Sequence, residues 1–107
     1  MPWVKIEDAF YDHPKVAMLP PAYMLPCVGL HLLVMCYCSR TLTDGFIPEP
    51  QIDRLAGDLT TLLPQGTSAP LVNALLDVGL WEPDPQGRAG YLVHDFLDYN
   101  PSKREVL

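Results

Sequence analysis

The stretch AYMLPCVGLHLLVMCYCSRTL, from Ala22 to Leu42, constrains this chain more than any other. No turn signal interrupts it after Gly29, and it is far too long for a strand, so it reads as one helix. Pro26 falls near the first turn, where a missing N–H costs little. From Leu30 to Cys38 the helix is apolar on nearly every face, and such a helix is either central or has a partner. Its apolar part, Met24 to Cys38, is interrupted by Pro26, Gly29 and His31. It is expected to be too short for a bilayer, which needs about 20 apolar residues.

What surrounds this helix must come from a small chain. The sequence has 107 residues and 12.0 kDa, which suits one domain. An apolar fraction of 49% gathered into segments, with 19% charged residues, argues for a folded protein and against a disordered one. Seven Lys and Arg against thirteen Asp and Glu leave a net charge of −6, so the averaged field repels phosphate. Any nucleic-acid contact must then be local, and of the basic residues only Lys103 and Arg104 are adjacent. Three cysteines, Cys27, Cys36 and Cys38, with no secretory signal at the start, point to reduced thiols and a cytoplasmic location.

The remaining elements follow from local signals. WVKIEDAF suits a short strand or extended arm anchored by Trp3 and Phe10, and Asp12 with Pro14 suits the start of a short helical turn. Asp44-Gly45 closes the long helix, Phe46 and Ile47 form a brief strand, and Pro48 opens a second helix ending at Gly57. DLTTLLPQGT reads as a loop with one helical turn. Ser68 is expected to cap a third helix, SAPLVNALLDV, with Gly79 just past its end. LWEP and GYLVHDFL are strand-like runs joined by a turn-rich tip, DPQGRA.

The predicted fold class is therefore α+β, with the element order of a winged helix-turn-helix: a three-helix core, a small β-wing and an N-terminal strand and short-helix extension. Within one domain over 1–100, residues 1–20 form the extension, 22–42 the long first helix, 48–79 the helix-turn-helix and 80–99 the wing, with a polar tail over 101–107. Phe96 and Tyr99 are expected to pack on the core.

The motifs W-V-K-I-E-D-A-F-Y-D-H-P-K, L-T-D-G-F-I-P-E, L-L-D-V-G-L-W-E and G-Y-L-V-H-D-F-L-D-Y-N together resemble the N-terminal winged-helix domain of phage-type replication initiators and replisome organisers, the DnaD-like group of actinobacterial phages and prophages. The resemblance runs from Trp3 to Asn100. It implies a non-enzymatic protein of phage DNA transactions, in replication initiation or transcription control, working in a bacterial cytoplasm. Such proteins usually continue into a basic linker and C-terminal region, so the half that loads a partner is not expected within a sequence ending at Leu107. DLTTLLPQGT is also less polar than an exposed turn should be.

Two partner classes follow. Double-stranded DNA would be contacted by Arg54, Ser68, Asn73, Arg88, Lys103 and Arg104, since bases are read by Arg, Lys, Asn and Gln and phosphates by cations. Yet the third helix carries no Lys or Arg and has Asp77, which phosphate repels. The alternative is a replication or host protein, or a second copy, bound through Met24, Leu32, Met35 and Tyr37 on the long helix. No cofactor, membrane or small-molecule substrate is expected. Cys36 and Cys38 point nearly opposite ways on a helix, and Cys27 and Cys38 are roughly 16 Å apart at 1.5 Å per residue, so no metal is expected and buried thiols are. Asp12-His13 and His94-Asp95 would form an acid/base pair only if the chain ends met, and no nucleophile motif or phosphate loop accompanies them.

Overall fold

A computed structural model of the chain describes residues 3–94. The long helix, α2 (Met24–Thr41), is the element on which the rest is assembled. It is preceded by α1 (Pro14–Ala17) and followed by α3 (Glu49–Ala56) and α4 (Ala69–Asp77). Three short strands, β1 (Phe46–Pro48), β2 (Trp81–Pro83) and β3 (Gly90–Val93), make one antiparallel sheet in the order β1-β3-β2. The fold is thus α+β, four α-helices with a small three-stranded sheet among the described residues, an arrangement compatible with a winged helix.

Helix α2 buries Cys27, Leu30, His31, Val34 and Cys38, positions three, four and seven apart that share one face. That face meets α3, α4 and β1. The core it closes contains Ile52 of α3, Leu71, Val72 and Leu75 of α4, and Ile47, Trp81 and Val93 of the sheet. Burial of each large apolar side chain contributes about 1.5–3 kcal/mol. With its leading turn the helix spans Pro21–Thr41, 21 residues that contain an 18-residue window of mean hydropathy 1.6, long and apolar enough by length and composition to cross a membrane. The shorter span counted from Met24 to Cys38 is corrected accordingly. Pro26 is the third residue of α2, within the first turn, where the backbone N–H has no intrahelical partner.

The ends of the helices follow local chemistry, with corrections. His13, not Asp12, caps α1: its Nδ1 accepts from the Lys15 amide at 3.1 Å. The opening segment pairs with no strand; it runs into a 3₁₀ turn over Asp8–Asp12. Phe10 is half-buried there, but Trp3 is 77% exposed and anchors nothing within residues 3–94. Gly79 ends α4 at φ +82, with the Gly79 amide donating to Leu76 O and the Leu80 amide to Leu75 O. That is a Schellman closure.

The connector between α3 and α4, Gly57 to Ser68, is not the three- to four-residue turn of a tight helix-turn-helix. Leu59 and Leu63 are both buried, so the chain detours to deliver them to the core. This accounts for the apolar character of DLTTLLPQGT. Ser68 stands at the N-cap position, but its backbone is helical and its hydroxyl does not cap. The hydroxyl donates to Asp53 Oδ1 at 2.6 Å, tying α4 to α3.

Candidate functional site

Three places on the molecule bring chemistry-bearing residues together: the outer side of α3 and α4, the outward face of α2, and a cavity between the N-terminal segment and α2.

On the first, the residues expected to touch DNA are largely occupied within the protein. Arg88 Nε donates to Asp84 Oδ2 at 2.8 Å and Nη2 to Oδ1 at 3.2 Å, a two-pronged pair. The Arg88 amide also donates to Asp84 Oδ2 at 2.9 Å, and the guanidinium lies 4.0 Å above the centre of the Phe46 ring. Arg88 beside Asp84 holds that carboxyl below its ordinary range, so the pair is ionised and its net charge is zero. Arg88 therefore closes the turn between β2 and β3 and staples it to β1. Arg54 is exposed and donates to Gln51 at 2.7 Å. Asn73 is exposed on α4, with Asp77 one turn on, and Ser68 is buried. A shallow pocket beside them is lined by Glu49, Asp53, Thr67, Ser68 and Asn73 among others, with two carboxylates and no cation. Lys103 and Arg104 lie outside the described residues, as do Phe96 and Tyr99.

The second place lies on the far side of α2 from the core. Leu25, Gly29, Leu32, Leu33 and Cys36 are all exposed, at spacings of three and four that put them on one face. Leu25 is 83% exposed, Leu33 45% and Leu32 40%. Of the four interface candidates named from sequence, Leu32 lies on this face. Met24, Met35 and Tyr37 are half-buried on its flanks, packed against the core. Reasoning from sequence missed Leu25, Leu33 and Cys36 because the core-facing and solvent-facing sides of α2 are about equally apolar. The signal was Gly29, whose neighbours one turn either way are Leu25 and Leu33.

The cysteines divide in the same way. Cys27 and Cys38 are buried and donate weakly to Leu71 O and Phe46 O, and burial pushes both thiols up to about 11. Cys36 is exposed, which corrects the expectation that all three are buried. Among the described residues no group of His, Cys, Asp and Glu is placed to hold a metal ion.

Compared with known protein families, characterised proteins and solved structures, the chain matches none. What the protein does must therefore be argued from its own surfaces.

The third place is a cavity of about 300 Å³. It brings His13, His31 and His94 onto one lining, so the two ends of the described chain do meet. Asp12 is exposed and Asp95 lies outside the described residues. His94 Nδ1 is 3.6 Å from Glu82 Oε2 at the surface. His31 is the buried member, 5% exposed, and sequence had marked it only as an interruption of the apolar run. Its Nδ1 accepts from Trp81 Nε1 at 2.9 Å, and its ring lies parallel to Phe10 at 5.8 Å. Desolvation pushes its pKa down to about 4, so the ring is neutral at physiological pH.

Proposed function

We propose that this chain is a winged-helix interaction module of a DNA-transaction system, associating with a second copy through the outward face of α2. The observation that carries this reading is the uncharged apolar stripe of Leu25, Gly29, Leu32, Leu33 and Cys36, set against an α4 whose outer side bears Asn73 and Asp77 and no cation. The setting in DNA transactions rests on the resemblance of the quoted motifs to those of phage replication initiators.

A second copy fits the stripe for physical reasons. The net charge of −6 makes most encounters between copies repulsive, but this face carries no acidic residue. A two-fold axis through it sets leucine against leucine, as an isologous interface requires. Gly29 sits at its middle, exposed, with nothing within 4 Å of where a Cβ would be. It lets a second helix approach closely.

The test is the solution mass, measured alongside fluorescence anisotropy with a generic duplex at low and moderate salt. The expected result is a dimer of the 12.0 kDa chain and no binding at low salt, with Leu33→Glu giving a folded monomer. Leu33 is the informative position because it is exposed, whereas Met35 packs against the core. A monomer that binds duplex with a steep salt dependence, weakened by Arg54→Ala, would instead establish direct DNA contact as the function.

A further inference from the structure

The cavity beside His31 lies on the flank of α2 and shares only Leu32 with the outward stripe. Its apolar wall is made by Phe10, Val28, Leu32, Met35, Leu80 and Val93. Lys5, His13 and Lys15 stand on its lining, against one carboxylate, Glu7. Lys15 is held in place by donating from Nζ to Gly79 O at 3.1 Å.

The buried histidine makes this more than an apolar recess. Because Nδ1 accepts from Trp81, the neutral ring carries its proton on Nε2. The two ring nitrogens point in divergent directions, so with Nδ1 turned to the Trp81 indole in the core, the Nε2–H edge is turned away from it. The ring itself stands on the cavity lining, so this edge is available to an acceptor arriving there.

We infer that this cavity is a binding site for a small amphipathic carboxylate, its carboxyl group accepting from His31 Nε2–H near the Lys15 ammonium group and its hydrocarbon chain lying between Phe10, Val28, Leu32 and Met35. The volume sets the size of the guest. About 300 Å³, at about 30 Å³ for each water-sized group, admits roughly ten such groups, the size of a medium-chain fatty acid. The site lies at the lower end of ligand pockets, which run from about 300 to 1,000 Å³. A guest there would bridge the N-terminal segment, α2 and the end of the sheet.

Octanoate titrated calorimetrically into the full chain is the test, with octanol and octylammonium as matched probes. Saturable octanoate binding is expected, tighter than octanol by about tenfold, the worth of one charge-assisted contact of about 1.4 kcal/mol. Val28→Trp, which fills the cavity, should abolish it. His31→Leu, which removes the donor, should weaken octanoate toward octanol. Leu33→Glu, at a position off the cavity lining, should leave binding intact whatever it does to the mass of the protein. Equal binding of octanoate and octanol would overturn the carboxylate assignment, and tighter octylammonium binding would hand the site to Glu7. No saturable binding by the full chain would overturn the proposal altogether.

Discussion

His31 and the three cysteines show how far position alone changes a side chain's chemistry. The unfolded chain carries His31 with an ordinary pKa of 6.5, whereas the folded protein holds it at about 4. As pH falls below 6.5 the unfolded state takes up the proton first, so stability is full above that value and declines toward pH 4. The loss expected from this shift is on the order of 3 kcal/mol. Urea unfolding midpoints at pH 7 and pH 4.5 should show the decline, and His31→Gln should flatten it. Asp84 and Asp58, whose carboxyls are held below 3.8, lose their contributions only at lower pH and do not blur that window. For the cysteines, an aromatic disulfide reagent at pH 8 should modify Cys36 in the folded protein and all three thiols in denaturant. Rapid reaction of Cys27 or Cys38 would show that α2 separates from α4 or β1 far more often than its packing suggests.

At the scale of elements, α2 serves two surfaces with one sequence. Its inner face satisfies the core, and its outer face is nearly as apolar and stands exposed among the described residues. Gly29 is the informative residue. A helix-interior glycine costs about 1 kcal/mol relative to alanine, and no contact among the described residues requires it. Gly29→Ala should therefore raise the unfolding free energy of the monomer by about that amount, measured at a concentration where only monomer is present. The same substitution should weaken the dimer, since two Cβ atoms then hold the helices apart. A variant that stabilises the fold and leaves the dimer untouched would move the crossing point elsewhere on α2. The α3–α4 connection shows a second trade. Leu59 and Leu63 reach the core at the expense of a tight turn, and the Ser68–Asp53 hydrogen bond restores the registration of the two helices.

For the molecule as a whole, the sheet closes the fold by bringing the strand before α3 against the hairpin after α4. Phe46 lies opposite Leu92 and Pro48 opposite Gly90, and Trp81 lies opposite Val93. At Gly90 a Cβ would run into the Ile47 carbonyl oxygen and the Phe46 ring. Gly90→Ala should therefore separate β1 from β3 and lower the melting temperature sharply, whereas Gly87→Ala, also at positive φ but with open space around it, should cost far less. By itself the sequence determined the order and type of most elements, the proline- and glycine-marked ends of α3 and α4, and the opposed directions of Cys36 and Cys38, because these depend on local backbone preference and helical period. Only the tertiary structure decided which face of α2 is core, since hydrophobicity around that helix is too even to orient it. It likewise decided that Ser68 binds Asp53 instead of capping and that His31 meets Trp81. Each of these joins groups whose pairing depends on how the chain folds back on itself, and residue spacing alone does not encode it.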